Sequence, residues 1–353
     1  MPTPVYATRE DVMRALDSKL TARNAGQIDR ALQSASRGVD DLCHRRFYPE
    51  LATRSWDWPD SQQRPSWRLW LDDSELISVT TLTSGGTAIA AADYFLEPNR
   101  SGPPYNKLEI DLASSAAFGG GDTHQRDVTV TGLWGYRNDE TTVGALLEAL
   151  DASETGVDVN AATSAAVGVG SLLRVDSERM LVTARSMLDT GQNLGGAGLT
   201  ILPNNVTVPV TDGTAFAVDE ILLIDSERML VVDIAGNQLT VIRAWDGSII
   251  AAHTAGTDIY AARTLTVQRG ALGTTAATHS DASTVNRWDP PGLVHDLTIA
   301  DAMNRVLQEQ AGYARTSKTS SGAKSVSVET LSLESLRTQT YNAHGRKART
   351  RGV

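Results

Sequence analysis

The sequence predicts an α+β protein: a small helical core with antiparallel strands, interrupted by a large all-β insertion made of two related, nested modules. Three observations carry this. Apolar side chains recur at helical spacing over 28–42, residues 67–136 alternate as short strands do, and Asp176-Ser-Glu-Arg-Met-Leu-Val182 returns letter for letter at 225–231.

Helices are expected over 8–20 and 26–42. Thr8-Arg-Glu-Asp11 has the form of a capping signal, with a side-chain oxygen for orphan amides and acids in the positive first turn. Val12, Leu16 and Leu20 then recur every four residues. Ile28, Ala31, Leu32, Ala35, Val39 and Leu42 form one stripe over four turns. Cys43-His-Arg-Arg46 supplies positive charge suited to a helix C-terminus, and Phe47-Tyr-Pro49 leaves the helix.

Strands follow over about 67–136: Trp67–Leu71, Leu76–Leu82 with a Gly85-Gly86 turn, Tyr94–Leu96, Lys107–Leu112 and Asp127–Tyr136. Alternation of aromatic and β-branched residues, punctuated by Gly and Pro, is the antiparallel signal.

The region 138–289 holds the duplication. Residues 157–176 and 206–225 align without a gap, 49 positions apart. A second pair, Leu239–Arg243 running to His253 and Leu265–Arg269 running to His279, is offset by only 26. Tandem copies would keep one offset. Nesting explains two: an outer module of about 157–198 plus 263–285, with an inner module of about 199–262 inserted at the Gly-rich stretch Asp189–Gly198. The inner copy then pairs Asp225 with His253, and the outer copy pairs Asp176 with His279.

After Pro290-Pro-Gly292 a third helix is expected over 293–312, its face made by Ile299, Met303, Val306 and Leu307 with Ala300 and Ala311. Tyr313–Lys324 reads as a polar linker, Ser325-Val-Ser-Val328 alternates briefly, and 316–353 as a whole reads as an extended C-terminal arm. The expected division is therefore a core of 1–137 plus 290–315, an inserted β domain of 138–289, and the arm.

Bulk properties exclude several classes. No stretch approaches 18 apolar residues, so no membrane span is expected, and the N-terminus lacks the layout of a secretory signal. One cysteine, Cys43, allows no internal disulfide and fits a reducing cytoplasm. The formal net charge of −10 argues against wrapping duplex DNA. Charge is uneven: 151–292 holds 16 acids and eight Arg, whereas no acid follows Glu334 and the chain ends basic.

Candidate chemistry is sparse. Asp176/Glu178 and Asp225/Glu227 could be read as carboxylate pairs, but a hairpin turn with exposed edge charges accounts for all seven repeated residues. His253 or His279 with Ser226 or Ser177 lacks the special turn of a nucleophile. No zinc cluster, phosphate loop or dinucleotide fingerprint occurs, so neither catalysis nor a cofactor or metal is expected. Arg45, Arg46, Arg346, Lys347, Arg349 and Arg351 could contact nucleic-acid phosphates or an acidic protein surface; for Arg45 and Arg46 a helix-capping role is the alternative.

With 138–289 set aside, the order of elements resembles the head-tail connector (adaptor, or head-completion) proteins of tailed bacteriophages. The family pattern of Ile, Ala, Ala-Ser and Val-Asp before Arg-x-Phe is met by Ile28, Ala31, Ala35-Ser36, Val39-Asp40 and Arg46-Phe47. Its Val-x-Gly-x-x-Gly-Tyr strand is met by Val130, Gly132, Gly135 and Tyr136. The match covers roughly 5–137 and 290–315, each motif being weak and the ordered combination carrying it. The long insert is a departure. The resemblance implies a non-enzymatic ring subunit, commonly of twelve copies, assembled in the host cytoplasm and located at the virion neck. Its partners would be the portal protein, a tail or head-closure protein, further copies of itself, and genomic DNA passing through the channel without sequence-specific binding. The insert is expected on the ring's outer face. An alternative is a virion decoration or glycan-binding protein acting through the β modules, with Trp245 and Tyr260 as aromatic candidates; a hydrolase is the remaining one.

Overall fold

A computed structural model describes residues 3–16, 25–59, 65–310 and 333–346. Helices and strands are mixed, and the sheets are antiparallel. Five α-helices are described: α1 (Arg9–Ala15), α2 (Ala25–Cys43), α3 (Ala161–Ala166), α4 (Gly292–Gln310) and α5 (Leu333–His344). The chain forms two compact units. One holds Met1–His44, Glu140–Ala271 and Thr275–Val353; the other holds Arg45–Asp139 with Leu272–Thr274.

This grouping cuts across the expected division, which placed the helices with the strands of 67–136. The reason is a set of contacts between segments far apart in sequence. Arg9 N–H donates to the Val169 carbonyl at 3.0 Å, Val169 N–H donates to Glu10 Oε2 at 2.7 Å, and the Tyr6 and Trp288 rings lie 6.1 Å apart. The N-terminal helix is thus fastened to the β module that follows the strands.

The second unit contains two sheets. One has the order β1 (Glu50–Trp56), β7 (Val128–Trp134), β3 (Leu76–Ser84), β4 (Thr87–Ile89); the other has β2 (Arg68–Trp70), β6 (Lys107–Ile110), β5 (Tyr94–Glu97). Along β7 every second residue is buried, and Val128, Val130 and Trp134 join Leu69, Leu82 and Leu108 in one core. β3 and β4 are joined by Gly85 and Gly86, both with positive φ, as a two-residue hairpin between Ser84 and Thr87 requires. β1 and β4 were not expected as strands; β1 carries Thr53, Arg54 and Ser55 in a row, which breaks the alternation, and none of its residues is fully buried.

In the first unit α1 starts as expected. Thr8 Oγ1 accepts from Asp11 N–H at 3.1 Å while Thr8 N–H donates to Asp11 Oδ2 at 2.8 Å, a reciprocal cap. It ends at Ala15, one residue before Leu16, which is extended where helix was expected; residues 17–20 lie outside the described residues. The α2 stripe is buried at Ile28, Ala31, Leu32, Ala35 and Val39, and packs with Ala302 and Val306 of α4.

The buried face of α4 is wider than expected and rotated. Val294, Leu297, Asp301, Ala302 and Val306 are buried, Ile299 and Met303 are half-buried, and Leu307 is exposed. Ala311 lies outside the described residues. The cause is α5, a second neighbour: Arg337 donates to Asp301 at 2.9 Å, and Thr340 Oγ1 donates to the Leu293 carbonyl at 3.3 Å. The arm expected to be extended over 316–353 therefore contains a helix at Leu333–His344; the linker Tyr313–Lys324 and Ser325–Val328 lie outside the described residues.

The remaining strands build one large sheet in the order β12-β15-β14-β13-β16-β11-β10-β17-β8, with β9 on β16. These are β8 (Glu140–Ala145), β9 (Gly156–Asp158), β10 (Leu172–Val175), β11 (Glu178–Asn193), β12 (Thr207–Pro209), β13 (Ile221–Ile224), β14 (Glu227–Ala235), β15 (Gln238–Ile242), β16 (Asp258–Gln268) and β17 (Thr284–Trp288). The registers of the two copies match. Leu172 faces Leu181 and Val175 faces Glu178; 49 positions later Ile221 faces Leu230 and Ile224 faces Glu227. Both copies bulge at the same place, between Val182 and Ala184 and between Val231 and Asp233. The closing strands are offset by 26: Val285 faces Val175, and Ile259 faces Ile224.

β11 and β16 are long because each runs through both copies. Ser186 faces Thr264 in the outer part, and Asn193 faces Asp258 in the inner part. Hence the stretch expected as a loop, Asp189–Gly198, begins as strand. The gapless alignment of 157–176 with 206–225 also needs correcting. Val157 faces Leu265, but Leu239, the match of Leu265, faces Val208 rather than Val206. The outer copy spends two more residues on α3, where the inner has only a 3-10 turn at Gly213–Ala215. Each copy keeps its own core, around Met180 and around Met229.

Candidate functional site

The most concentrated ionisable chemistry lies at the repeated hairpins. The turn-like sequence pattern casts Glu178 and Glu227 as exposed edge charges; in the fold both are 0% exposed. Each carboxylate is the hub of a network. Arg243 donates to Glu227 from Nε at 2.6 Å and from Nη2 at 2.7 Å. The amides of Ala244 and Ala251 add bonds of 3.0 and 2.9 Å, and His253 Nε2 stands at 2.9 Å. The outer copy repeats this around Glu178 with Arg269 at 2.8 and 2.9 Å, Gly270 N at 2.8 Å, Ala277 N at 3.0 Å and His279 Nε2 at 2.9 Å.

The second imidazole nitrogen is also engaged. His253 Nδ1 lies 2.7 Å from Asp225, and His279 Nδ1 lies 2.7 Å from Asp176. Those aspartates open the hairpin loops with φ of 51° and 50°, a left-handed conformation that Asp tolerates better than most residues. Each arginine spends its remaining donors on carbonyls: Arg243 on Thr200, Asn205 and Ala251, Arg269 on Asp151, Glu154 and Ala277.

Burial disfavours the charged form of both glutamates. The paired arginine, the backbone amides and the imidazole outweigh it, holding Glu178 and Glu227 at about 2. The arrangement is saturated, so what it does is hold three chain segments together. Neither imidazole has a nitrogen free for Ser177 or Ser226, and among the described residues no group of three or more His, Cys, Asp or Glu is placed to hold a metal ion. A signal for these networks was present in the sequence: Asp, Glu, Arg and His are all retained in both copies.

The first unit also has a cavity of about 480 Å³ beside α1, α3 and β13–β14. Four of its five lining arginines have an acidic partner: Arg9 with Asp29 at 2.8 Å, Arg185 with Glu10 at 3.6 Å, Arg287 with Asp289 at 3.0 Å, and Arg228 with Asp246. Arg185 also donates to the carbonyls of Ser164 and Ala262 at 2.7 and 2.9 Å. Burial pushes the Glu10 carboxyl up, against the pull of Arg185.

Of the six expected phosphate-contacting residues, Arg45, Arg46 and Arg346 are described. Arg45 reaches Glu75 at 3.3 Å and lies over the Tyr136 ring at 4.7 Å, so it is committed internally. Arg46 is exposed. Neither is needed to close α2: His44 turns left-handed, and the Cys43 carbonyl accepts from Arg346 N–H at 2.9 Å. Lys347, Arg349 and Arg351 lie outside the described residues. Of the aromatic candidates Trp245 and Tyr260, both are half-buried.

Two motifs distant in sequence do meet. Phe47, fully buried, packs edge-on against Tyr136 with ring centroids 5.4 Å apart. Gly135, at φ 139°, runs so close to the Tyr48 carbonyl that a Cβ would overlap it, and a Cβ on Gly132 would overlap the Ser78 carbonyl. The glycines are therefore the residues that let this strand approach its neighbours.

No protein-family model, curated protein or solved structure matches this chain.

Proposed function

We propose that this protein is a structural virion component, a head-tail connector subunit that docks on the portal of a tailed bacteriophage and contributes to a ring around the DNA exit channel. The observation that carries the reading is the packing of Phe47 on Tyr136 beside Gly135. It joins the Arg46-Phe47 and Val130–Tyr136 motifs on which the resemblance rests, so their shared presence has a common physical reason. The pairing of α2 with α4, elements from opposite ends of the chain, supports it further.

In this reading the core of helices and strands is a scaffold, and the nested β copies are an elaboration on it. The Glu178 and Glu227 networks favour a mechanical role over a reactive one, because the glutamate, guanidinium and imidazole atoms in them are all spent on holding the chain. Exposed Arg46 and the basic residues Arg346, Lys347, Arg349 and Arg351 supply the surface for an acidic portal partner. Duplex DNA passes without sequence-specific contact, consistent with the overall negative charge.

Co-sedimentation of the full chain with its cognate portal oligomer tests the proposal. Saturable binding, weakened by Arg46→Glu or by charge reversal of the C-terminal basic residues, is expected. Absence of binding over a range of salt concentrations would overturn it.

A further inference from the structure

The cavity beside α1 is bounded by three pieces of chain, all within the first unit. α1 supplies Arg9, Glu10 and Arg14, the outer copy supplies Arg185, and the inner copy supplies Arg228 and Asp246. Its volume of about 480 Å³ falls within the range of about 300–1,000 Å³ usual for small-molecule sites. The hydrogen-bonding capacity of its walls is uneven. Two of the acids are spent. Asp11 Oδ2 accepts from Thr8 N–H at 2.8 Å and from Thr8 Oγ1 at 2.6 Å, with His295 Nε2 at 3.3 Å, and Asp246 is paired with Arg228.

The donors are not spent. Among the described residues, the exposed Arg14 side chain makes no hydrogen bond or ion pair. Arg9 uses Nε and Nη2 on Asp29 and keeps Nη1. Arg185, its side chain only 9% exposed, uses Nη2 on the Ser164 and Ala262 carbonyls. Its Nε is enclosed without an acceptor, and its Nη1 stands 3.6 Å from Glu10 Oε1, beyond hydrogen-bond length. Burial depresses Arg185, and the nearby charge of Arg14 adds to this against the pull of Glu10. Two guanidinium groups that repel each other thus share one cavity, and the buried one is incompletely paired. Such a group is costly, and an oxyanion is what satisfies it best.

We propose that this cavity binds a small organic oxyanion, one carboxylate or phosphate group on an apolar body, with the charged oxygens between Arg185 and Arg14. Met13, Met187 and Leu230 line the walls and suit the apolar body, methionine being adaptable in shape. Asp219, an exposed lining acid with no basic partner among the described residues, opposes a polyphosphate. The ligand contacts α1 and both β copies, so its binding stabilises their arrangement. The assignment does not depend on portal binding.

Isothermal titration calorimetry of the full chain with benzoate, phenyl phosphate, inorganic phosphate and benzylamine tests this. Benzoate or phenyl phosphate is expected to bind about tenfold or more tighter than inorganic phosphate, and the stronger of the two identifies the headgroup. The bound anion should also slow hydrogen exchange of residues 9–15 and 165–169. Benzylamine, of the same shape and opposite charge, should not bind. Arg14→Gln removes a guanidinium that holds nothing in the fold, so unfolding without ligand should match the parent while affinity falls about tenfold or more. Arg14→Lys should recover most of that loss. No binding of either aromatic anion at millimolar concentration overturns the proposal, as does binding that Arg14→Gln leaves unchanged. Tighter binding of benzylamine, or inorganic phosphate binding as tightly as the aromatic anions (an adventitious ion only), overturns it too.

Discussion

Asp176 takes a hydrogen bond from His279, 103 residues away, while its sequence twin Asp225 takes one from His253, only 28 residues away. The same bond with two such spans is the signature of one copy held inside another. The outer network closes only after the inner copy has been traversed.

Nesting predicts that the inner copy can be excised. Ser186 and Thr264 face each other directly, so joining them through Asn-Gly would close β11 and β16 as a short hairpin. The shortened chain is expected to fold with His279 still bonded to Asp176 and Glu178. Imidazole resonances that shift to those of an unfolded chain would contradict nesting.

The arginines should be interchangeable in importance. Arg243→Ala and Arg269→Ala each leave a buried glutamate without its principal partner, a loss on the order of 3–5 kcal/mol. Denaturant unfolding of each variant checks this. A cost below about 1 kcal/mol, typical of an exposed pair, would show the network to be dispensable.

The glutamates also set an acid limit. Their folded value of about 2 lies below the ordinary 4.5, so their contribution is fully present above about pH 4.5 and is lost as pH falls toward 2. The difference corresponds to roughly 3 kcal/mol per carboxylate. Thermal unfolding between pH 2 and 6 should show a steep loss that Glu178→Gln and Glu227→Gln flatten.

How much of this was legible in the sequence depended on how local the cause was. The α2 stripe and the Thr8–Asp11 cap are decided within a few residues, and both lie where periodicity placed them. Glu178 was misread because a charge beside a turn looks exposed, while its partner Arg269 comes 91 residues later. α5 was missed because Leu333, Leu336 and Thr340 make a thin stripe, and its packing on α4 rests on Arg337–Asp301, which no periodicity encodes. The grouping of α1 with the β module rests on bonds between Glu10 and Val169, again nonlocal.

His295 gives a prediction of opposite sign. Its pairing with Asp11 at 3.3 Å raises it above 6.5, and Asp11 is held at about 2. The imidazolium stabilises α1 against α4 below about pH 6.5, and that contribution is lost as pH rises through the raised value. Hydrogen exchange of residues 9–15 should quicken at alkaline pH in the parent and be less pH-sensitive in His295→Gln.

Gly135→Ala should disrupt the meeting of Phe47 and Tyr136. A Cβ there overlaps the Tyr48 carbonyl in a backbone region that side chains disfavour, at a cost of order 1–3 kcal/mol or more. Near-ultraviolet circular dichroism and thermal unfolding read the effect. An unchanged profile would mean that close packing of the strand on Tyr48 is not what ties the two motifs together.

The connector proposal is tested most directly by negative-stain imaging of the full chain with and without its cognate portal. A ring of added density, coaxial with the portal and on its tail-facing end, is the predicted result. A lone monomer that leaves the portal images unchanged would contradict it.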